Sequence, residues 1–374
     1  MAGSKLKICQ RDSGMDSIIW WRLLFSRLAS KMLLKMGGLG ERINRKLLMA
    51  LLEGYRASAL LHVAGKLGVA DLLAEGPRTS SELAQLAGAD PTSMHRFLRG
   101  LVLLGICREE QDGRFAITRL GSFLQDAKPH SLRAKAILTG DSYRAWGNLL
   151  HSVKTGDTAS APTFGTDAWA HRRREPELDR AFNKAFEESA GRISREILFA
   201  YDFSAVRIIA DIGGGYGYLL GSILRNSFPL SGILFDQPHV IAGATPYLKK
   251  AGISERCRTV GGDFFVNIPG GADIYMLKSV IHDWSDEQSV SILKNCRQAL
   301  KPEGRLLLIE RLMPVRVKED PPVVYQDLRM LISTGGRERT EGEFRVLLEA
   351  AGLTLTRIIP LPSGFHIIEG MAIQ

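Results

Sequence analysis

At the end of the aliphatic run Ile208–Ile212, the segment Asp211-Ile-Gly-Gly-Gly-Tyr-Gly217 places Gly213, Gly214, Gly215 and Gly217 at what reads as a strand-to-helix turn. Glycines there let the backbone approach a ligand closely and leave the first N–H groups of the helix pointing at it. A dinucleotide fingerprint G-x-G-x-x-G requires glycine or alanine at position 218, where Tyr218 stands, and this speaks against a nicotinamide dehydrogenase. Asp236 closes the next aliphatic run, placed to accept hydrogen bonds from a ribose diol. Glycine turns also serve ordinary close packing, so ligand binding and packing both stay open on these residues alone.

Other polar residues have two readings each by type. His282, in His282-Asp283-Trp284, could move a proton or cap a helix; Glu310 could pair near Arg311, and Glu338 lies between Arg337 and Arg339. Lys278 reads as a strand-end lysine. The other histidines show no metal-like spacing, and Cys9, Cys107, Cys257 and Cys296 form no C-x-x-C pair, so no metal site is expected and a reducing cytoplasm fits best.

The elements that must position these residues follow from periodicity. From Arg207, the short runs Ile208–Ile212, Ile233–Phe235, Ile274–Leu277 and Arg305–Ile309 alternate with helical stretches, predicting a parallel sheet with crossovers. Residues 131–200 read as helical and rich in aromatics, with Phe164, Phe182 and Phe186 able to form an apolar wall. Upstream, Thr79 with Glu82 reads as a helix start, Asp90-Pro91 starts a second helix carrying Met94, Phe97, Leu98 and Leu101, and a hairpin should turn at Asp112-Gly113. Helix, turn, helix and hairpin make a winged-helix layout. Its second helix offers His95, Arg96 and Arg99, so a DNA-binding regulator is the competing reading, opposed by that helix's ordinary core face.

The formal charge of +9 comes mostly from residues 1–50, which hold ten Lys or Arg against three acidic residues. Ile18, Trp21, Phe25, Leu28 and Met32 share one helical face there and Arg27, Lys31 and Lys35 another, with Gly37-Gly38 expected to end the helix. A helix packed on a partner subunit is favoured over one lying on a membrane. Neither a spanning segment nor a cleavable signal is expected. The expected organisation is a basic extension over 1–46, a winged-helix unit over 47–130, a helical connector over 131–200 and a ligand-binding α/β domain over 201–374.

Several ordered motifs together resemble the plant- and microbe-type small-molecule O-methyltransferases. They are Asp211–Gly217, Phe235-Asp-Gln-Pro-His-Val240, Gly262-Asp-Phe-Phe265, Lys278-Ser-Val-Ile-His-Asp-Trp-Ser-Asp286, and Asp327-Leu-Arg-Met-Leu331 leading into Gly335-Gly-Arg-Glu-Arg-Thr340. The likeness runs over roughly residues 47–372. It implies an α/β fold: a C-terminal Rossmann-like class I methyltransferase domain behind a mainly α-helical winged-helix dimerisation domain, hence a homodimer without nucleic acid as partner.

Carried over residue by residue, the resemblance implies that Asp211, Gly213, Gly214 and Gly215 hold the methionine part of S-adenosylmethionine and that Asp236, with Gln237, takes the ribose. Asp263 and Phe264 would hold the adenine by accepting from its amine and stacking on its ring, with Lys278 beside the cofactor. His282 occupies the general-base position, and Glu310 and Glu338 match acids that orient the imidazole. An imidazole can take the proton of a phenol that is itself a poor nucleophile at neutral pH. Phe186 replaces a methionine common at the acceptor pocket, and Ser333-Thr334 replaces an asparagine-containing segment. The expected acceptor is a small aromatic or polycyclic hydroxyl compound. Some relatives use the same pocket for hydroxylation or decarboxylation, a reading that His282 and the two glutamates oppose.

Overall fold

The structure is a computed structural model that describes residues 37–227, 229–316 and 320–373. The amphipathic pattern expected over residues 18–36 lies outside them. Two compact units divide the chain, one up to Tyr143 and one from Arg144 onward.

The first unit contains helices α1 (Gly37–Leu52), α2 (Tyr55–Leu67), α3 (Val69–Leu72), α4 (Ser80–Ala87) and α5 (Pro91–Leu103), then strands β1 (Cys107–Glu109) and β2 (Phe115–Ile117). Gly37 and Gly38 are the first residues of α1, and the helix they are expected to end lies outside the described residues. Helix α4 starts at a capping box: the Thr79 hydroxyl accepts from the Glu82 N–H at 3.2 Å and the Glu82 carboxylate accepts from the Thr79 N–H at 2.7 Å. Helix α5 starts with Asp90 accepting from the Ser93 N–H, with Pro91 at the first helical position. The antiparallel hairpin pairs Cys107 with Ile117 and turns through Asp112-Gly113. Leu83, Leu98, Leu101 and Phe115 are fully buried together, each worth roughly 1.5–3 kcal/mol. Of the three residues offered to DNA, His95 turns edge-on to Phe115 at 5.8 Å, while Arg96 and Arg99 stay exposed.

Helix α6 (Arg133–Trp146) follows, then α7 (Leu149–Thr155), α8 (Ser160–Phe164), α9 (Ala168–Arg174) and the 25-residue α10 (Pro176–Ala200). The second unit's sheet is then built from β3 (Ile208–Ile212), α11 (Tyr218–Asn226), β4 (Ser231–Asp236), α12 (Pro238–Lys250), β5 (Cys257–Gly261), β6 (Ile274–Lys278), α13 (Asp286–Ala299), β7 (Arg305–Glu310), α14 (Pro321–Ser333), α15 (Glu341–Ala350), β8 (Leu353–Pro360) and β9 (His366–Ala372).

The strands lie in the order β5-β4-β3-β6-β7-β9-β8. The first five are parallel, as the alternating runs predict, whereas β9 runs antiparallel to both β7 and β8. Both sheet faces are covered, which is why the parallel strands read as nearly continuous apolar runs. Ala210, Ile212, Tyr275, Leu277 and Leu306 pack on one side with Ile292, Phe344 and Leu348. Ile209, Leu234, Met276 and Leu307 pack on the other with Ile193, Leu220 and Leu248. The strand order reverses between β3 and β6, so the carboxyl ends of those strands open the crevice where α/β sheets bind ligands.

Candidate active site

The glycine turn closes β3. Gly213 and Gly215 have φ of +68° and +61°, conformations open to glycine at little cost. The N–H of Gly213 donates to the Phe235 carbonyl at 2.8 Å, and the Asp236 carboxylate accepts from the N–H of Gly215 at 2.8 Å and of Gln237 at 2.7 Å. The turn is thus stitched to the end of β4. Each Asp236 oxygen keeps a lone pair for a diol. Beneath the turn, Asp211 is buried and its Oδ2 has no hydrogen-bond partner. Burial, reinforced by the Asp236 charge, pushes its pKa up to about 7.

Beside the turn lies Phe264, edge-on to Trp284 at 5.8 Å and held through its carbonyl by the Asn295 amide at 2.8 Å. Asp263 is exposed, its carboxylate accepting from the Phe265 N–H at 2.9 Å. Lys278 ends β6 with its ammonium 5.0 Å from the Phe186 ring centre and 5.1 Å from that of Phe365. Burial, opposed by Glu310 and Asp211, lowers its pKa to about 8. The structure therefore gathers the residues from Asp211 to Lys278 named from the sequence along the strand ends of one crevice. It adds Asn183 of α10, a buried amide whose Oδ1 would lie 3.7 Å from a Cβ at Gly215. A lone asparagine within a long helix is the only signal the sequence carries for it.

His282 sits on a 3-10 turn, Ile281–Asp283, just past β6 and is 7% exposed. Its Nδ1 lies 2.8 Å from Glu338 Oε1 and 3.5 Å from Glu310 Oε2. Glu310 Oε1 accepts from the N–H groups of Val280 at 3.0 Å and Ile281 at 2.9 Å, so the carboxylate that faces the imidazole also fixes the turn carrying it. On the other edge, Nε2 is 3.9 Å from Asp283 Oδ1. Burial acts to lower the imidazole pKa, but Glu310, Asp283 and Glu338 outweigh it and raise it to about 9. Burial also pushes Glu310 up to about 7.

Glu338 is not neutralised by its arginine neighbours. Arg337 pairs with Asp286 at 2.7 Å and Glu343 at 3.0 Å. Arg339, fully buried, donates to the carbonyls of Ile281 at 2.9 Å and Trp284 at 2.8 Å and pairs with Asp286. Gly336 passes so close to the His282 turn that a Cβ there would strike the His282 carbonyl. By spacing alone, His282, Glu310 and Glu338, with donor atoms within 4.8 Å of one another, could also gather a metal ion.

Trp284, which follows the His282 turn, stacks on Trp169 of α9 at 6.4 Å; Trp169 meets Phe182 at 6.4 Å, and Phe182 and Phe186 of α10 are 4.7 Å apart. The Arg172 guanidinium lies 3.5 Å over the Phe182 ring. Phe164 differs from expectation: it stacks on His171 at 4.0 Å and packs with Ala145, Ala159 and Ile332, because α8 is a separate helix. The Ser333 carbonyl accepts from Ser160 at 2.8 Å, which ties the end of α14 to α8.

A Rossmann-like sheet with a glycine turn at its switch point, an acid at each of the next two strand ends and a glutamate-held histidine defines a class I methyltransferase site. The chain belongs to the O-methyltransferase family: the O-methyltransferase domain model matches residues 146–354 and the O-methyltransferase dimerisation domain model residues 49–126. It is 42% identical to phenazine O-methyltransferase PhzM of Lysobacter antibioticus over 87% of this chain and 96% of that one. The crystal structure of mitomycin 7-O-methyltransferase MmcR superposes with a TM-score of 0.84 at 35% identity, covering 90% of this chain and all of that one. NcsB1, an O-methyltransferase from neocarzinostatin biosynthesis seen in complex with S-adenosylmethionine and 2-hydroxy-5-methyl naphthoic acid, matches with a TM-score of 0.75 at 32% identity over 85% of this chain and 96% of that one. The protein is an S-adenosylmethionine-dependent O-methyltransferase of the secondary-metabolite type.

Proposed function

We propose that this enzyme methylates a hydroxyl on a small aromatic or polycyclic compound, with His282 as general base. The observation that carries the reading is the buried imidazole held at Nδ1 by Glu338 at 2.8 Å, with Glu310 3.5 Å away, while Nε2 lies 3.9 Å from Asp283 Oδ1, beyond hydrogen-bond distance. S-adenosylmethionine supplies a methyl already electrophilic on its sulfonium, so the chain's task is alignment and a place for the proton. Nε2 takes the hydroxyl proton as the oxygen gains the methyl. Glu338 and Glu310 fix the ring and stabilise the imidazolium that forms. The acceptors named for PhzM, MmcR and NcsB1 support an aromatic or polycyclic ring system here.

The buried Asp211 carboxyl, whose Oδ2 has no hydrogen-bond partner, and the Gly213–Gly215 turn suit the amino-acid end of the cofactor. Asp236 and Gln237 suit the ribose, Asp263 and Phe264 the adenine, and Lys278 the cofactor's flank. No metal takes part on this reading: the Nδ1 contact with Glu338 gives the buried cluster an internal purpose. Residues 47–130 form the dimerising unit of a homodimer, 131–200 the helical pocket region and 201–374 the cofactor domain, behind the extension 1–46. Asn44–Leu67 is long and apolar enough to cross a membrane by length and composition, and its apolar side chains serve the subunit interface of a cytoplasmic enzyme.

The test is His282→Ala. S-adenosylmethionine affinity, measured calorimetrically, stays within about twofold while turnover falls by about a hundredfold or more, the usual scale of a general base. Turnover equal to that of the parent would refute the base assignment.

A further inference from the structure

The glycine turn carries one side chain between Ile212 and Tyr218, that of Tyr216. Its half-buried ring lies so close to α12 that a Cβ at Gly243 would meet it at 2.7 Å. Its hydroxyl donates to the Asp179 carboxylate of α10 at 3.2 Å. The turn is therefore held between two helices as well as stitched to β4. On α10, Asp179, Phe182, Asn183 and Phe186 follow one another at steps of three, one and three, which puts them on a single helical face. Two members of that face meet the turn: Asp179 through Tyr216, and Asn183, whose Oδ1 would lie 3.7 Å from a Cβ at Gly215. The other two are the aromatic pair expected beside the acceptor. The Phe186 ring centre lies 5.0 Å from the Lys278 ammonium at the end of β6, and Phe182 meets Trp169, which stacks on Trp284 just past the His282 turn. One helix thus touches both the turn proposed for the cofactor and the wall expected for the acceptor.

We propose that Tyr216 is a positioning residue that transmits occupancy of the glycine turn to α10, so that bound S-adenosylmethionine holds Phe182 and Phe186 in place for the acceptor. The proposal rests on the cofactor and acceptor placement given above, and adds the link between them. A ligand seated on the turn immobilises it, and the Tyr216 hydroxyl then stays on Asp179. The ordering of α10 is complete before the acceptor arrives, and a coupling of this kind acts equally in both directions. A hydrogen bond to a half-buried carboxylate sets the scale of the effect at about five- to tenfold.

The experiment follows amide hydrogen exchange of the full-length enzyme by mass spectrometry, with and without saturating S-adenosylhomocysteine, and needs no acceptor. In the parent, the ligand slows exchange over residues 213–220 and, by about five- to tenfold, over residues 179–187 of α10. In Tyr216→Phe the turn is still protected, while the protection that the ligand adds over 179–187 falls below about twofold. Asp179→Ala reproduces this loss, Asp179→Asn keeps most of the added protection because it retains an oxygen acceptor, and Tyr216→Phe combined with Asp179→Ala loses no more than either alone. A merely structural role for the tyrosine would loosen α10 equally in the presence and absence of ligand and leave the difference unchanged. In parallel, the binding of 2-naphthol, read by its own fluorescence, tightens by about five- to tenfold on saturation with S-adenosylhomocysteine in the parent and by less than about twofold in Tyr216→Phe. Protection of the turn without protection of α10, equal added protection of α10 in parent and Tyr216→Phe, or equal tightening of 2-naphthol in both overturns the proposal. Binding of S-adenosylhomocysteine that leaves 213–220 unprotected removes the cofactor placement and the proposal together. Failure of 2-naphthol to bind, with the exchange pattern as expected, supports the link and instead removes the aromatic-acceptor reading.

Discussion

At the residue scale, the chemistry turns on a histidine whose surroundings favour its protonated form. Three carboxylates lift His282 to about 9 against its burial, so the neutral base is a minor species at pH 7. The sign follows: a base must be unprotonated to work, so kcat should climb by about tenfold per pH unit below the midpoint and level off at or below about pH 9. Bound sulfonium, a like charge, acts to bring the midpoint down. Glu310→Gln removes the strongest of the raising charges and should move the acid limb down by about one unit. A rate that stays flat between pH 6 and 9 would contradict this account. If no metal takes part, exhaustive chelation leaves kcat unchanged; loss of activity restored by one added cation would convert the cluster into a metal centre. These residues were visible in the sequence as types, but only the resemblance singled them out. Asn183 was not, because a single polar residue in a helical pattern reads as a solvated position until the fold shows what it faces.

At the element scale, most of the sheet was legible. Strands buried on both faces become uninterrupted apolar runs, so the four that read clearly from the sequence are β3, β4, β6 and β7, all parallel. Strands β8 and β9 were missed: in Leu353–Pro360, at the sheet's edge, only Leu353 and Leu355 are buried, and Glu369 in β9 is a buried acid that pairs with Arg357 at 3.0 Å. Charges of this kind hide a strand from a search for apolar runs. The wall residue Phe164 was misplaced for a related reason, since a breaker such as Gly165 separates short helices whose orientations no periodicity encodes. The approach of the Gly335-Gly336 segment to the 281–283 turn is also invisible in one dimension. Gly336→Ala should therefore push the backbone at Glu338 away from His282, costing about 1–3 kcal/mol of stability as overpacking. Urea unfolding would show a lower midpoint at an unchanged slope, together with reduced kcat; an unaltered midpoint would mean that the turn yields without strain.

At the scale of the whole molecule, the exposed apolar residues of the first unit need a partner. Leu48, Leu51 and Leu52 of α1 are 58%, 50% and 64% exposed, and Tyr55 at the start of α2 is 64% exposed. A cluster of large apolar side chains in water marks an interaction surface far more often than a stable surface of a lone chain. These residues overlap the start of the match to a dimerisation domain, so a second copy is the economical occupant. The enzyme should elute with twice the 41.2 kDa chain mass by light scattering at micromolar concentration. Because burying a Leu side chain is worth roughly 1.5–3 kcal/mol, replacing two of them with charge removes several kcal/mol of association energy, and the desolvation cost of the introduced carboxylates adds to it. Leu48→Glu combined with Leu52→Glu should therefore shift the mass toward that of the single chain at the same concentration. The α/β unit has its own core, so the variant's S-adenosylmethionine affinity should fall by less than about threefold if the cofactor cradle is complete within one chain. A large loss of that affinity on dissociation would instead mean that the second copy supports the cradle, and a mass unchanged by the double substitution would place the subunit interface away from α1.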